Sequence, residues 1–455
     1  MSSSSSSSSS EGSAEGGGDV HVHGGQGRGG EFERPSSSRQ RSGDGVWPEP
    51  FVEALAYQVA IDAARTIGRL AAGPAVANVF QVCSTWRAVS RSDLLWHNLT
   101  RQIWGADRLQ HDTWRDEFIS RHRTAFNFRY RRAVYTTLEF DASGNDNDGL
   151  ICRCLALSDV HLACGFLDGT VRLFDLSSRL HVGTFRPHHR DDLLGAFSRA
   201  VSGIILTDTK LVFASLDGDI HVANIHGVGT RRAQLGSVLN DGTLVDFSGC
   251  ARWWVGLFAG VPGRAFHVWD GDTEELMFVG GSLTDPEAVI GWRLLTRLGE
   301  TVGRIRVSGL ETAVACTGSR VMVFDLQNQG LILGEEEFER GINVNSVDVC
   351  NDVFLVVDNR GLASVRRVGS FEEVCRFTMR GGAHRGGGMV LGCVNSDYAF
   401  LCSGGVIRVW DVHHGGYLYR LRERMGEATA LISDESYVVA SSSDATIHLW
   451  DFGAL

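Results

Sequence analysis

Residues 162–176 have the sequence LACGFLDGTVRLFDL, in which two apolar runs flank a short polar segment. That segment contains Asp168-Gly169, and Asp-Gly pairs favour two-residue β-hairpin turns because both turn residues take a positive φ. The second apolar run ends in Phe174-Asp175. We therefore predict two antiparallel strands joined by a tight turn.

The same arrangement recurs later in the chain, at residues 211–225, 253–270, 312–326, 353–368, 398–412 and 437–452. Equivalent positions in the seven units are separated by 40 to 55 residues: Phe174, Ala223, Trp269, Phe324, Arg366, Trp410 and Trp450. A period of this length is typical of the four-stranded blades of a β-propeller. The chain is therefore predicted to be mainly β, with a seven-bladed propeller over residues 134–455.

The predicted ring also needs a closing strand. The last unit leaves its blade one strand short, whereas residues 135–140, just before the first unit, form an alternating apolar run of suitable length. An unfilled position would leave an exposed sheet edge. We expect residues 135–140 to supply the missing strand.

The segment at residues 46–105 predicts a small all-α module. Pro48 starts the first helix and Gly73-Pro74 starts the second, since proline is accepted only in the first turn. Apolar residues recur at helical spacing in three groups: Phe51, Leu55 and Val59; Val76, Phe80, Cys83 and Trp86; Leu95, Leu99 and Ile103. So small a module tends to expose an apolar face that a partner covers.

Two further segments have distinct compositions. Residues 1–45 are mainly Ser, Gly and charged residues, which predicts a disordered tail. Residues 106–133 predict a basic helical connector that contains Arg121, Arg123, Arg129, Arg131 and Arg132. These arginines could form a patch for phosphate or acidic groups, or they could pair with carboxylates of the propeller. The second interpretation is favoured because the chain as a whole is acidic.

Composition excludes several classes of function. The formal net charge of −11 gives no general attraction to phosphate backbones, so we expect no direct nucleic-acid binding. No apolar window is long enough to span a bilayer and the first residues lack the layout of a secretory signal, so no membrane association is expected. The ten cysteines match no common zinc spacing. No cofactor, metal or catalytic motif is predicted, and the chain is not expected to be an enzyme.

Five aromatic-Asp pairs end predicted strands: Phe174-Asp175, Trp269-Asp270, Phe324-Asp325, Trp410-Asp411 and Trp450-Asp451. They resemble the WD dipeptide of the WD40 family. Residues 82–89 (VCSTWRAV) and 93–96 (DLLW), together with Pro48, resemble the F-box motif, whose family binds the Skp1 subunit of cullin-based ubiquitin ligases. This resemblance implies Skp1 docking by the following residues: Pro48, Phe51, Leu55, Val82, Cys83, Trp86, Leu95 and Trp96. The alternative is a helical cap on the propeller.

Residues 111–128, 218–223, 258–269 and 283–289 resemble a plant family of F-box and propeller proteins that regulate flower, ovule and organ development. The resemblance implies a nuclear adaptor of an SCF-type (Skp1-cullin-F-box) E3 ubiquitin ligase that directs repressor or transcription-factor proteins to degradation. A non-ligase transcriptional co-regulator scaffold, acting through protein binding by the propeller, is the alternative. Substrate contacts are expected on variable loops of the propeller. The candidates are Arg186, Arg190, Arg199, Trp292 and Arg293.

Overall fold

A computed structural model describes residues 47–140, 150–187, 196–227, 229–281, 303–328, 330–339, 342–379 and 390–454. The predicted tail at residues 1–45 lies outside these ranges. The helices and the propeller belong to one compact unit, Glu49–Leu455. The described α-helices are α1 (Glu49–Thr66), α2 (Ala72–Phe80), α3 (Ser84–Val89), α4 (Asp93–Trp104), α5 (Trp114–Arg129) and α6 (Val238–Asp241). None of them has the length and apolar character needed to cross a membrane.

The strands form seven antiparallel four-stranded sheets, which confirms the predicted blade number. In the first six blades the strands lie side by side in chain order, from the innermost to the outermost, whereas the outermost strand of the seventh blade is the first strand of the chain. The first four blades contain β2 (Cys152–Leu157), β3 (His161–Phe166), β4 (Val171–Asp175) and β5 (His181–Phe185); β6 (Val201–Leu206), β7 (Lys210–Ser215), β8 (Ile220–Asn224) and β9 (Thr230–Gln234); β10 (Thr243–Gly249), β11 (Trp253–Ala259), β12 (Phe266–Asp270) and β13 (Leu276–Gly280); β14 (Arg304–Val307), β15 (Thr312–Cys316), β16 (Arg320–Asp325) and β17 (Leu331–Glu337). Blades five to seven contain β18 (Val344–Cys350), β19 (Val353–Asp358), β20 (Leu362–Arg367) and β21 (Glu373–Thr378); β22 (Leu391–Val394), β23 (Tyr398–Ser403), β24 (Val406–Asp411) and β25 (Tyr417–Arg420); β26 (Ala428–Ser433), β27 (Tyr437–Ser442), β28 (Ile447–Asp451) and β1 (Val134–Leu138).

The turns lie at the predicted Asp-Gly pairs, but only the glycine of each pair has a positive φ, whereas the prediction required it of both residues. Gly169 and Gly218 have φ values of 85° and 88°, a region that glycine occupies without steric cost. The preceding aspartate stabilises the turn, since Asp168 Oδ1 accepts a hydrogen bond from the backbone N–H of Thr170 at 2.8 Å. The second and third strands of blades one and two are therefore joined by tight turns at the predicted positions, although not by the predicted two-residue type.

The aspartates of the aromatic-Asp pairs fix the next turn of the chain. Asp411 ends the third strand of blade six, and its Oδ1 accepts hydrogen bonds from the backbone N–H groups of His413 at 2.9 Å and His414 at 3.2 Å. Asp270 Oδ1 does the same for Thr273 at 2.8 Å. These carboxylates satisfy backbone donors that a turn leaves unpaired. The need to stabilise this turn therefore explains why aspartate recurs at the ends of the third strands.

The predicted closing strand is confirmed. β1 pairs with β28 in an antiparallel register that runs from Val134 opposite Asp451 to Leu138 opposite Ile447. The Leu138 side chain is buried in an apolar cluster shared by blades one and seven. The first strand of the chain thus completes the last blade and closes the ring.

The helical segment differs from the prediction at its second helix. The spacing of Phe80, Cys83 and Trp86 predicted one continuous helix, but α2 ends at Phe80 and α3 begins at Ser84. Cys83 between them is extended, with φ −161° and ψ 174°. The break lets α3 pack against both α1 and α2, so that Val89 is buried. An uninterrupted helix would carry that side chain away from the helical core.

Replacing Leu138 by alanine tests the closing strand. We expect Leu138→Ala to lower the free energy of unfolding by about 2–5 kcal/mol, because buried apolar contacts are lost at the seam between two blades. Urea denaturation measures the change. The exposed Leu331, on an outermost strand, provides the control Leu331→Ala, which should change stability by less than about 0.5 kcal/mol. An unchanged unfolding curve for Leu138→Ala would contradict closure by β1.

Candidate protein-binding surfaces

The helical module, defined as α1 to α5, has a core centred on aromatic side chains. The Trp96 ring lies 5.1 Å from Phe118 and 6.0 Å from Phe80, measured between centroids. Trp96 Nε1 also donates a 2.7 Å hydrogen bond to the carbonyl of Ser90. The Trp96 side chain of α4 therefore packs against both α2 and α5.

The buried face of α1 lies one residue away from the predicted face. Phe51, Leu55 and Val59 were grouped by their spacing, but the fully buried positions are Val52, Ala56 and Ala60. Small alanines allow close approach of α1 to its neighbouring helices, which explains why these positions face inward. The shift leaves Phe51 with 46% of its surface exposed.

The eight predicted docking residues fall into three environments. Pro48, Phe51, Val82 and Cys83 are exposed, and Leu55 and Trp86 are half-buried. Leu95 and Trp96 are buried in the helical core, where they position α4 and are not available for direct contact with a partner. The first six remain candidates for a contact surface.

Exposed apolar residues gather on adjoining elements of the module. Residues 81–83, between α2 and α3, and the first two residues of α3 are all exposed, and Val82 among them has 62% of its surface exposed. α1 contacts both α3 and α4, and a hydrogen bond from Ser92, the N-cap residue of α4, to Glu53 links α4 to α1. Leu94 in the first turn of α4 is likewise exposed. We call the exposed Phe51, Val82, Cys83 and Leu94 the docking face.

Helix α5 belongs to the cores of both the helical module and the propeller. Phe118 near its start packs in the helical core, whereas Phe128 near its end packs against blades six and seven. The Phe128 ring stacks on Phe452 with centroids 3.8 Å apart. Beside it, Asn127 Nδ2 donates a 2.8 Å hydrogen bond to the carbonyl of Phe452. One continuous helix thus fixes the module to the ring.

Ion pairs show which end of the ring the helices cover. Arg69 Nη1 lies 3.1 Å from Asp397 Oδ2, and Arg108 Nη1 lies 3.0 Å from Asp208 Oδ2. Both aspartates are in turns between the first and second strands of their blades. Arg129 Nη1 also lies 2.5 Å from Asp411 Oδ2. This ion pair agrees with the favoured prediction that connector arginines pair with carboxylates of the propeller. We call this end of the propeller the helix face and the opposite end the open face.

A buried carboxylate holds the segment before α5 in place. Glu117 accepts hydrogen bonds from Arg121 Nε at 2.6 Å and from the backbone N–H of Gln110 at 3.0 Å, and it lies 2.8 Å from His111 Nδ1. Burial alone would raise the pKa of Glu117, but the bonds to His111, Gln110 and Arg121 hold that pKa below its usual value. The charged form of Glu117 therefore anchors the loop that lies against the propeller.

A central channel runs through the propeller. Its cavity has a volume of about 590 Å³ and is lined by the innermost strands of all seven blades. Residues 104–108, Gln110 and Arg121 line its end at the helix face. Arg153, Arg304 and Arg306 line it as well, on strands β2 and β14. These three arginines were not among the site residues predicted from the sequence, although a charge within an innermost strand is a signal that could have found them.

Only some of the five predicted substrate-contact residues lie in the described part of the chain. Arg186 is exposed just after β5, and Arg199 is half-buried just before β6, so both lie on the connection between blades one and two. That connection leaves from the open face, because β6 runs from it toward the helix face. Arg190, Trp292 and Arg293 lie outside the described residues. The structure therefore places two of the five candidates, and both border the open face.

Replacing Phe128 by alanine tests the joint between module and ring. We expect Phe128→Ala to lower the free energy of unfolding by about 3–5 kcal/mol, because it removes an aromatic stack from the propeller core. Phe278 on the outermost strand of blade three is exposed, so Phe278→Ala is the matched control. Thermal and urea unfolding measure both variants. Equal effects of the two substitutions would show that α5 is not fixed by Phe128.

No protein-family model matches the chain, so the F-box resemblance rests on the motif residues alone. The transcriptional regulator STERILE APETALA of Arabidopsis thaliana is 59% identical to this chain over 441 residues, which cover 95% of this chain and 98% of that protein. Among solved structures, the computationally designed Ika8 protein aligns with a TM-score of 0.44 and 17% identity, over 69% of this chain and 98% of that chain. The similarity to STERILE APETALA extends across both the helices and the propeller.

Proposed function

Because the chain belongs to the STERILE APETALA family of transcriptional regulators, we propose that it regulates transcription in the nucleus as the substrate-recognition adaptor of an SCF-type E3 ubiquitin ligase. The helical module would bind a Skp1-type subunit of the cullin complex. The propeller would hold a repressor or transcription-factor protein for ubiquitination. The developmental setting is that of flower, ovule and organ formation. In this proposal the chain has no catalytic site of its own.

The observation that carries the proposal is the exposed docking face. Val82 and Cys83 belong to the stretch that resembles the F-box motif, and both side chains are exposed, as is Phe51 of α1. Apolar groups exposed together on a small module mark a surface that a partner covers. Leu95 and Trp96 of the same motif support that surface from beneath as core residues.

The arrangement of the two surfaces also suits an adaptor. The module occupies the helix face, whereas the connections that carry Arg186 and Arg199 border the open face. α5 joins the module to the ring through side chains buried in both cores. A protein bound at the open face would therefore keep a fixed position relative to a subunit bound at the docking face.

The docking face can be tested with two charge substitutions. We expect Phe51→Asp combined with Val82→Asp to weaken binding of a purified Skp1-type subunit at least about tenfold, because both carboxylates would be desolvated in an apolar interface. Both positions are exposed, so the variant should unfold at the wild-type temperature. The control is Leu239→Asp, at a leucine with 92% of its surface exposed on α6 of the propeller. Calorimetry or surface plasmon resonance measures the affinities.

Equal affinities of the wild type and the double variant would overturn docking through this face. A plant complementation experiment then separates the adaptor from the co-regulator scaffold. If the chain acts as an adaptor, the double variant fails to restore organ development and its substrate accumulates. Full restoration by a variant that no longer binds the Skp1-type subunit would instead favour the scaffold.

A further inference from the structure

The outer rim of the propeller carries a group of arginines where blade six meets blade seven. α5 ends at this rim, beside β25, the outermost strand of blade six, and β1, the outermost strand of blade seven. The Arg131 guanidinium donates a 3.3 Å hydrogen bond to the carbonyl of Arg420, so the end of α5 and the end of β25 are in contact. We call the following arginines the rim stripe: Arg131, Arg132, Arg420, Arg422 and Arg424.

The rim stripe lacks carboxylate partners. Arg131 is half-buried, and the other four arginines are exposed. None of the five forms an ion pair with a residue in the described part of the chain. The neighbouring Arg129 differs, because it pairs with Asp411. The preferred interpretation of the connector arginines therefore accounts for Arg129 and leaves Arg131 and Arg132 without a carboxylate.

The residues between the arginines of segment 420–424 are turned toward the ring. Leu421 is buried in the apolar core between blades six and seven. Glu423, the acidic residue of the segment, is half-buried and accepts a 2.8 Å hydrogen bond from Trp450 Nε1. These two side chains hold the segment against the propeller. The three arginines around them are left in contact with solvent.

Helix geometry explains only part of the rim stripe. The negative end of the α5 dipole attracts cations such as Arg131 and Arg132. However, Arg131 has a φ of 55°, in a position after a helix where glycine is usual because side chains have a steric cost there. The arginines of segment 420–424 belong to no helix. A purely structural role therefore does not account for the whole group.

Two exposed tyrosines lie beside the arginines. Tyr130 has 60% of its surface exposed and packs on Phe126 with ring centroids 4.3 Å apart. The Arg132 guanidinium also lies over the Phe126 ring, at 5.3 Å. Tyr135, on β1, has 37% of its surface exposed and packs on Trp450 with centroids 5.4 Å apart. Each exposed ring is thus held in place by a neighbouring ring.

We propose that the rim stripe and these two tyrosines bind single-stranded nucleic acid, with guanidinium groups on the phosphates and bases stacked on the tyrosine rings. Guanidinium groups bind phosphate oxygens in a bidentate manner. Stacking on an aromatic ring is available to every base. An acidic protein segment would contact the arginines without requiring exposed rings, so the tyrosines favour nucleic acid. This surface is separate from the docking face and the channel, and the inference goes beyond the proposed adaptor function.

The acidic character of the whole chain is compatible with this site. The net charge of −11 predicted no nucleic-acid binding, but charges more than about 8 Å away are largely screened at physiological ionic strength. Folding brings together two basic segments whose contacting residues are 289 positions apart. The local charge of the rim stripe therefore determines the attraction at this surface.

The salt dependence of binding tests the rim stripe on the full-length chain without any ligase subunit. Fluorescence anisotropy measures binding of a labelled single strand of about 20 nucleotides, as DNA and as RNA, between about 50 and 200 mM salt. Each neutralised phosphate contributes about −0.7 to the slope of log K against log salt concentration. We expect a slope of about −3.5 for the wild type. Arg420→Gln combined with Arg422→Gln and Arg424→Gln should give a slope of about −1.4 and bind at least about tenfold more weakly at about 50 mM salt.

A matched control removes three exposed charges from blade five: Arg360→Gln, Arg367→Gln and Arg376→Gln. It changes the net charge by the same amount and should leave the slope within about 0.5 of the wild-type value. Equal losses in both triple variants would overturn the rim stripe as the binding site. The rim-stripe variant should melt within about 2 °C of the wild type, because the three side chains form no hydrogen bond with a described residue. A much larger drop would show that these arginines are structural and would also overturn the proposal.

Stacking and an acidic protein ligand are tested separately. Tyr130→Ala should weaken binding of the single strand at least about fivefold without changing the salt slope, because it removes a stacked base and no phosphate contact. Phe278→Ala, at an exposed ring on β13, is the control and should bind like the wild type. Binding of either DNA or RNA supports the proposal, and the tighter of the two identifies the nucleic acid. Displacement of the oligonucleotide by polyglutamate at equal charge concentration, or no binding of either strand at about 50 mM salt, would overturn it.

Discussion

Helix α5 is the element on which the arrangement of the whole molecule depends. Its first half completes the helical core through Phe118, and its last turn places Phe128 against the final residues of the propeller. Tyr398 adds a 3.1 Å hydrogen bond from its hydroxyl to the carbonyl of Ala125. Because a helix is stiff over this length, the docking face and the channel cannot rotate freely about a linker. A segment predicted to be a connector is in fact a shared part of two cores.

The propeller was predictable because its signals are local. Asp168-Gly169 sets its own turn geometry, and each aromatic-Asp pair marks the end of a third strand whatever surrounds it. The closing strand could be predicted in the same way, since a blade with three strands leaves an edge that must be filled. The strand-turn-strand unit recurs seven times at intervals of 40 to 55 residues, so the blade count could be predicted even though two units lack the aromatic-Asp pair.

The helical module and the channel were harder to predict because their geometry depends on tertiary contacts. The apolar spacing of α1 fits two adjacent faces, and only packing against other helices selects Val52 over Phe51 for burial. The spacing across Cys83 looked continuous, yet packing breaks the helix there. Nothing local distinguishes Arg153, which forms no ion pair with any described residue, from Arg306, whose partner Asp246 lies on the neighbouring blade. Ion pairs between residues of different blades form only when the ring closes, so the spacing of residues in the sequence does not predict them.

Closure of the ring by β1 and β28 also has a kinetic consequence. The hydrogen-bonded side chains of Tyr135 and His448 are 313 positions apart, and the seventh blade stays incomplete until the last strand has been synthesised. Contacts at such separation form slowly, because the entropy of closing a long loop must first be overcome. During translation, β1 is synthesised early, and its edge stays unpaired until β28 has been synthesised. Its position directly after α5, which can pack early against the other helices, keeps that edge beside a folded unit while the six complete blades are made.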